Sequence, residues 1–300
     1  MNRRGFLAGG ATLLGASTLP AAIPQAVDTH IHLYDPTRPQ GVPWPAKTDS
    51  LLYRPTLPQR FKAVASPLRV TRAVVIEASA WVEDNQWILD LAKENPVIVA
   101  LVGHLEPASE DFAANLARFA RNPLFRGIRV NGNSIVSGVT RQAFVQDLER
   151  LADAGLMMDA IGSASMIPAL QLLTGRIPKL RIAIDHMPGE PTGWQNSRPA
   201  LVELAKQPQV YCKVSGVLKR VDGKVPEDPS AYRPALDEVW KAFGPDRVMY
   251  GSNWPVSDHM APYETVLSVV QRYVSTRSGI DAEKFFQINS RNCYRWVNRS

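Results

Sequence analysis

Four histidines lie at or near the ends of short β-rich runs of the sequence, and three of them, His30, His32 and His186, are the leading candidates for chemistry. His30 and His32 are two residues apart in the run VDTHIHL, so on a β-strand both imidazole rings point to one face. Two such ring nitrogens can bind one divalent metal ion or hold a substrate. His186 ends the run RIAIDH, just before the chain must turn, and there it can act as a metal ligand or a proton carrier. The alternative for each is a hydrogen-bonded histidine of the core.

Two cationic side chains occupy similar places. The guanidinium group of Arg129, in the run RGIRVN, is a rigid fork of donors that suits a carboxylate or a polarised carbonyl group. Arg129 is therefore a candidate for binding an anionic substrate or a polarised carbonyl group, with an ion pair to a neighbouring helix as the alternative. Lys213, in the run YCKVSG, would be unusual facing inward unless it contacts substrate or pairs with a carboxylate of a neighbouring strand.

These residues belong to a series of eight β-rich runs separated by amphipathic stretches. Such an alternation predicts repeated βα units around a parallel sheet, and eight strands are the number that closes a (β/α)8 barrel. The carboxyl ends of barrel strands form the face on which active sites are built. The rival, an open doubly wound sheet that binds a nucleotide, normally carries a G-x-G-x-x-G turn, which this sequence lacks. The predicted strands are Val27–Leu33, Arg72–Ala78, Val97–His104, Gly127–Asn131, Leu156–Ile161, Arg181–His186, Val210–Ser215 and Arg247–Asn253.

Amphipathic periodicity predicts seven helices between and after these strands. They are Asn85–Glu94, Ser109–Arg121, Arg141–Ala154, Ser165–Thr174, Arg198–Gln207, Tyr232–Phe243 and Tyr263–Val274. Three connections are irregular, and the longest, Asp35–Pro67, is predicted to be a lid or a substrate wall. The other two are Pro188–Pro199 and Val217–Tyr232. Four tryptophans could wall a substrate ring, although aromatic residues more often pack in cores: Trp44, Trp81, Trp194 and Trp254.

The first 22 residues are predicted to be an export signal. Arg3-Arg4 followed by Phe6-Leu7 and a weakly apolar stretch of Gly, Ala and Leu is similar to a twin-arginine signal peptide. The alternative is an N-terminal helix or membrane anchor, but the stretch is too short and too rich in small residues to span a bilayer. We therefore expect a periplasmic protein that has no stable membrane insertion once the signal is removed. Residues 27–300 show no interior linker and are assigned to one domain.

The composition excludes several classes of protein. Hydrophobic residues make up 45% and charged residues 21% of the chain. These values lie in the ordinary globular range and exclude a mainly disordered or coiled-coil chain. The formal net charge is +6, but no block of five or more Lys and Arg occurs, so we expect no nucleic-acid partner. Cys212 and Cys293 show neither metal-site spacing nor a disulfide framework and are interpreted as structural. The sequence does not determine the oligomeric state.

Five segments together resemble the lactonase-type amidohydrolases, which include sugar-lactone and pyrone-dicarboxylate lactonases. They are VDTHIHLYDP at 27–36, RGIRVN at 126–131, DHMP at 185–188, YCKVSG at 211–216 and RVMYGSNWPV at 247–256. Their order and spacing match along essentially the whole chain after the predicted signal. The resemblance implies a (β/α)8 barrel of the amidohydrolase type that hydrolyses a lactone or a similar cyclic ester of a sugar or carboxylic acid. Related barrels decarboxylate or hydrate aromatic acids.

The resemblance also implies roles for individual residues. His30 and His32 take the places of the family's metal or substrate histidines, His186 that of its sixth-strand histidine, and Arg129 that of its fourth-strand arginine. Some members need a divalent metal ion and others need none. If a metal is bound, neutral imidazoles favour zinc or manganese.

Asn253 is the main departure from the family pattern. Many amidohydrolases have at this place an aspartate that ligates metal and takes a proton from water, but an asparagine side chain does not titrate near neutral pH. It can orient a metal, water or carbonyl group. Another residue must then be the base, and Glu77, at the end of the second predicted strand, is attractive unless it is only salt-bridged. The other candidates are His104, Asp159 and His186.

Three functions follow from these observations. The leading one is a lactone hydrolase in which His30, His32 and His186, with or without a divalent metal, position water. Arg129, Lys213 and Trp254 would then contact a small-molecule substrate. The second is a decarboxylase of an aromatic or unsaturated acid, with Arg129 holding the carboxylate. The third is a non-catalytic periplasmic binding protein, suggested by Asn253.

Overall fold

A computed structural model describes residues 25–187 and 198–299 of the chain. Eight parallel strands, paired in chain order, form one nearly closed barrel, which confirms the predicted fold. Strand ends differ from the predicted ones by at most three residues. The strands are β1 (Ala26–Ile31), β2 (Val70–Ile76), β3 (Ile98–Gly103), β4 (Phe125–Asn131), β5 (Met157–Ile161), β6 (Arg181–Ile184), β7 (Val210–Val214) and β8 (Val248–Tyr250).

The barrel closes between β1 and the segment that follows β8. Ile31 pairs with Trp254 in parallel register. The backbone N–H of His32 donates to the Trp254 carbonyl at 2.8 Å, and the N–H of Asn253 donates to the His30 carbonyl at 2.9 Å. The predicted histidine pair therefore lies directly at the barrel seam.

Helices surround the barrel, and most of them lie where periodicity predicts. Within the described part of the chain they are α1 (Pro58–Ala65), α2 (Val82–Lys93), α3 (Phe112–Phe119), α4 (Gly132–Gly138), α5 (Gln142–Asp153), α6 (Ile167–Arg176), α7 (Arg198–Ala205), α8 (Arg233–Phe243), α9 (Tyr263–Val274), α10 (Gly279–Glu283) and α11 (Asn289–Tyr294). A π-helical turn, Lys284–Ile288, joins α10 to α11. None of the helices in the described residues is long and apolar enough to cross a membrane.

The prediction that Asp35–Pro67 is one irregular loop was wrong, because the loop ends in α1. Pro58 occupies the first turn of this helix, where proline is tolerated because its missing N–H would have no helical partner. Phe61 and Ala65 of α1 are fully buried against the barrel. Only the part of the segment before Pro58 remains available as a substrate wall.

The C-terminal residues close the amino-terminal end of the barrel. Cys293, Tyr294 and Trp296 pack among apolar side chains of the strands, which include Val27, Val74, Val102, Met157 and Met249. Two arginines near strand starts hold this segment, since Arg126 donates to the Tyr294 carbonyl at 3.0 Å and Arg181 to the Cys293 carbonyl at 2.7 Å. The opposite end of the barrel, at the carboxyl ends of the strands, is not covered by this segment. A larger apolar layer lies between the strands and the helices.

The structure bears on some of the remaining sequence predictions and leaves others open. Both cysteines are free and buried, as a structural role requires. The proposed signal, residues 1–22, and the connection Pro188–Pro199 up to residue 197, which includes Trp194, lie outside the described residues. The assignment of residues 27–300 to a single domain stays a prediction.

Candidate active site

A pocket of about 410 Å³ opens at the carboxyl ends of the strands. Side chains from the ends of five strands meet there, together with one from the connection after β1. They are His32, Glu77, Arg129, His186, Asn253 and Trp44. Five residues that the sequence predicted for catalysis, metal or substrate binding are thus brought together in one cavity.

Strand β1 is irregular where it enters the site. Its register with β2 shifts between Asp28 and Ile31. The Asp28 carboxylate accepts hydrogen bonds from the hydroxyl of Tyr263 on α9 and from the backbone N–H of Ser252, both at 2.9 Å. Regular alternation along a strand would place Asp28 on the same face as His30, but Asp28 instead faces the helix layer. Its two hydrogen bonds link the helix layer to the barrel seam.

The protonation form of His32 follows from its partners. Its Nδ1 atom lies 3.1 Å from the carbonyl oxygens of Ile76 and of Glu77. Carbonyl oxygens only accept, so Nδ1 carries the proton and Nε2 keeps a lone pair. Burial lowers the pKa of His32 to about 3. His32 thus presents a neutral acceptor nitrogen.

His186 adds a second neutral imidazole. Its backbone is in the left-handed region, with φ of 67°, which turns the chain as it leaves β6. Its Nδ1 lies 2.9 Å from the hydroxyl oxygen of Ser215, after β7. Burial lowers the pKa of His186 to about 4. The His30 ring lies beside it, with ring centroids 4.6 Å apart.

Glu77 and Arg129 form an ion pair within the pocket wall. Nε of Arg129 donates to Oε1 of Glu77 at 3.1 Å, and NH2 of Arg129 donates to the Glu77 backbone carbonyl at 2.8 Å. Oε2 of Glu77 lies 2.8 Å from Nδ1 of His104. Burial opposes the charge of His104, but Glu77 outweighs it and raises the pKa of His104. Asn85 holds His104 in place through hydrogen bonds to its backbone N–H and carbonyl.

A second polar group is fully buried inside the barrel. Nζ of Lys213 contacts Oδ2 of Asp159, lies 2.7 Å from Oδ1 of Asp185 and lies 3.3 Å from Nδ1 of His30. The hydroxyl of Tyr294 donates to the other Asp159 oxygen at 3.1 Å, linking this group to the C-terminal segment. Burial disfavours the charged form of Lys213, but the two carboxylates outweigh it and its pKa is raised.

Asn253 combines a pocket position with a special backbone conformation. Its φ of 61° lies in the left-handed region, which asparagine tolerates better than most residues. Its carbonyl accepts a hydrogen bond from Ser257 at 3.0 Å. The chain therefore turns sharply at Asn253 directly after pairing with β1.

The fold agrees with a comparison with known families. The amidohydrolase family profile matches residues 27–296. The chain belongs to the amidohydrolase family. The family is hydrolytic, and this protein is a hydrolase.

Relatives of this amidohydrolase include a sugar lactonase. L-Fucono-1,5-lactonase of Burkholderia ambifaria is 33% identical over 239 residues, which cover 75% of this chain and 80% of the relative. The crystal structure of a Burkholderia multivorans amidohydrolase with bound HEPES has a TM-score of 0.81 and 26% identity, covering 91% of this chain and 99% of that one. A crystal structure of a Burkholderia multivorans amidohydrolase with bound zinc has a TM-score of 0.80, 24% identity and the same coverage.

The donor set of this amidohydrolase does not fit a resident metal ion. Among the residues that the structure describes, no group of three or more His, Cys, Asp and Glu side chains is arranged to hold one. Lys213 occupies the side of His30 that faces Asp159 and Asp185, and Arg129 pairs with Glu77. We therefore derive no chemical step through a metal ion.

The tryptophans divide into different environments. Trp44 lines the pocket, with its ring 5.7 Å from the ring of His32. Trp254 is 1% exposed and packs against Phe61 of α1, with ring centroids 5.5 Å apart, so as placed it does not face the pocket. Trp81 is 38% exposed at the start of α2.

Two residues of the site were not predicted from the sequence. Asp185 and Ser215 hold His30, Lys213 and His186 in place, although neither lines the pocket. Each stands inside a segment that carried the family resemblance, DHMP and YCKVSG, next to or two residues from a predicted site residue. Lys213, on β7, lies beneath the pocket rather than in its wall, paired with Asp185 after the neighbouring strand β6 and with Asp159 on β5.

Proposed function

We propose that this amidohydrolase hydrolyses a neutral lactone of a sugar acid and opens its ring to the hydroxy acid. The observation that carries this proposal is the charge-balanced Glu77–Arg129 pair beside the two neutral imidazoles of His32 and His186. Such a pocket offers hydrogen bonds to hydroxyl and carbonyl groups, and the guanidinium group that lines it is already paired with a carboxylate. The likeness to L-fucono-1,5-lactonase supports the same class of substrate.

The charge of the pocket favours this reaction over decarboxylation. Arg129 is the cationic side chain among the described residues that line the pocket, and the carboxylate of Glu77 lies 3.1 Å from it. An aromatic carboxylate would compete with Glu77 for the guanidinium group. A neutral lactone does not have to displace Glu77 from the guanidinium group, because its carbonyl oxygen needs only a hydrogen-bond donor.

Hydrolysis requires a base, and the described lining of the pocket offers two neutral imidazoles, those of His32 and His186. We assign His186 to accept a proton from water through Nε2, with Nδ1–H donating to Ser215. The lone pair on Nε2 of His32 orients the same water.

The remaining steps balance within the pocket. The water oxygen bonds to the lactone carbonyl carbon, and the carbonyl oxygen becomes an oxyanion. Arg129 uses two of its five N–H groups on Glu77, which leaves others to hold this oxyanion. When the oxyanion collapses, the ring C–O bond breaks and the leaving alkoxide takes the proton back from His186.

A panel of sugar-acid lactones tests the proposal, with acid release followed by a pH indicator. We expect turnover of at least one neutral lactone by the wild-type protein. His186→Asn should lower kcat by about 10²–10⁴, the usual loss of a general base. His259→Asn is the matched control, because His259 pairs with Asp49 outside this pocket.

Two results would overturn the proposal. One is the absence of turnover on every lactone, and the other is wild-type kcat in His186→Asn. Release of CO2 from an aromatic acid without consumption of water would assign the barrel to the decarboxylases instead.

We also propose that the hydrolase is exported by the twin-arginine route and acts in the periplasm. Support comes from Arg3-Arg4, Phe6-Leu7 and the mild apolar stretch that follows. Cell fractionation of a strain that expresses Arg3→Lys/Arg4→Lys should show full-length protein retained inside the cell. Unchanged periplasmic protein in that variant would reject the proposal.

A further inference from the structure

The ammonium group of Lys213 is surrounded by acceptors. It has three N–H bonds, and three groups lie within hydrogen-bonding reach: Asp159, Asp185 and Nδ1 of His30. The side chains of Lys213, Asp159 and Asp185 are 0% exposed. Burying an ammonium group and two carboxylates is costly unless they are paired and hydrogen-bonded, so this geometry is tightly constrained.

Two groups compete for Nδ1 of His30. The ammonium group of Lys213, 3.3 Å away, donates and never accepts, so it requires Nδ1 as an acceptor, whereas Oδ1 of Asp185, 3.5 Å away, would require Nδ1–H. We assign the shorter contact, which makes Nδ1 the acceptor. In a neutral imidazole the proton then resides on Nε2. Burial lowers the pKa of His30 well below its usual value, so the ring is neutral.

The buried Nε2 atom of His30 is not hydrogen-bonded to any residue that the structure describes. It lies on the side of the imidazole ring away from Lys213, and the neighbouring rings are those of His32, 5.0 Å away, and His186, 4.6 Å away. An unpaired buried donor is costly, so it is expected to serve a bound group.

We propose that Lys213 is a positioning residue that fixes His30 in its Nε2–H form, making His30 a hydrogen-bond donor of the site instead of a metal ligand. A ring nitrogen that carries a proton has no lone pair in the ring plane for a metal ion. The donor instead serves an oxygen atom held between His32 and His186. Only this last role rests on the proposed hydrolysis.

The tautomer can be measured directly. Nitrogen-15 NMR of the histidine rings, with His30→Asn to assign the signals, distinguishes a protonated from an unprotonated Nε2. We expect the Nε2–H form in the wild-type protein at neutral pH. Observation of the Nδ1–H form for His30 would overturn the proposal.

A charge-matched variant tests the role of Lys213. Lys213→Met alone leaves two buried carboxylates without their cation and can fail to fold. Lys213→Met/Asp159→Asn removes one cation and one anion together, and the asparagine oxygen can still accept from Tyr294. Without Lys213, Nδ1 of His30 is free to donate to Asp185, 3.5 Å away, which returns the lone pair to Nε2.

Zinc binding reports this switch without any substrate. By equilibrium dialysis we expect the double variant to bind zinc at least roughly tenfold more tightly than the chelator-treated wild type, the size of effect typical of groups that orient a ligand. Lys179→Met/Asp153→Asn, an exposed pair, is the matched control and should leave zinc affinity unchanged. Equal zinc affinity and an unchanged His30 tautomer in the Lys213 variant would overturn the proposal. Because neither measurement uses a lactone, a result against the proposed role of Lys213 is distinguishable from a result against the proposed hydrolysis.

Discussion

The backbone N–H of Asn253 donates to the carbonyl oxygen of His30 at 2.9 Å. Asn253, at the place where the family resemblance led us to expect an aspartate, is therefore part of the hydrogen-bonded seam that closes the barrel. Its φ of 61° turns the chain immediately after this bond and brings its side chain into the pocket. Position 253 consequently carries a backbone requirement and a chemical one, and the two can be separated by substitution.

Asn253→Gly and Asn253→Ala separate these requirements. Glycine adopts positive φ freely, whereas alanine there costs about 1 kcal/mol or more. We expect Asn253→Ala to be less stable than Asn253→Gly by about 1 kcal/mol in urea unfolding. Both variants lack the amide, so a loss of kcat common to both measures its contribution. Equal stability of the two variants would show that the conformation at this position imposes no cost.

Glu77→Gln tests whether charge balance sets the substrate class. The glutamine keeps the shape but leaves Arg129 without its anion, so the pocket gains a net positive charge. We expect kcat/KM for a neutral lactone to fall by about tenfold and the preference for an anionic lactone to rise, since an uncompensated guanidinium attracts carboxylates.

Glu83→Gln is the control for this change. Glu83 also pairs with an arginine, Arg118, but through both carboxylate oxygens and on the exposed surface. It should leave both kinetic constants unchanged. If Glu77→Gln left the ratio of anionic to neutral substrates unaltered, the pair would not determine specificity.

The barrel could be predicted from the sequence because its signal is local. Eight β-rich runs at regular intervals specify the strands, and strand order in such a fold follows chain order. Helix α1 was missed because Pro58 and the surrounding prolines are typical of loops. Helix α4 was missed because its sequence, GNSIVSG, is rich in small residues with low helix propensity.

The pairing inside the site could not be predicted, because it depends on register between strands distant in sequence. Glu77 was a candidate base with a salt-bridged carboxylate as the alternative, and the structure places it between Arg129 and His104. Nothing in the sequence states which carboxylates reach Lys213, since that depends on how β5, β6 and β7 align around the barrel. The bulge in β1 likewise reverses the direction of Asp28 relative to His30.

Trp44 and Trp254 should respond differently to truncation. Trp44 lines the pocket, so we expect Trp44→Ala to raise KM for a lactone several-fold, roughly 1 kcal/mol of binding, with little change in stability. Trp254 is buried against Phe61, so Trp254→Ala should lower the free energy of unfolding by about 3–5 kcal/mol. Kinetics together with chemical denaturation separate the two. A stable Trp254→Ala protein with only a raised KM would place Trp254 in contact with substrate, as the sequence suggested.

The lowered pKa of His186 predicts two effects of acid. In the folded enzyme the ring stays neutral down to about pH 4, so kcat/KM should have an acidic limb near that value if His186 is the base. In the unfolded chain the same ring takes a proton near pH 6.5. The contribution of His186 to the free energy of unfolding is therefore fully present above pH 6.5. It is lost as the pH falls towards 4, which lowers the free energy of unfolding by roughly 3 kcal/mol.

His186→Asn should remove that part of the pH dependence without straining the turn, because asparagine tolerates the φ of 67° at this position. Urea unfolding at pH 7 and pH 4.5 should show a smaller loss of stability in the variant than in the wild type. The difference is expected to be about 2 kcal/mol, somewhat less than the full effect because pH 4.5 does not reach the folded-state pKa. His259→Asn, at an exposed ion pair with Asp49, should keep the wild-type slope. An identical slope in wild type and His186→Asn would mean that burial does not hold His186 neutral as the pH falls.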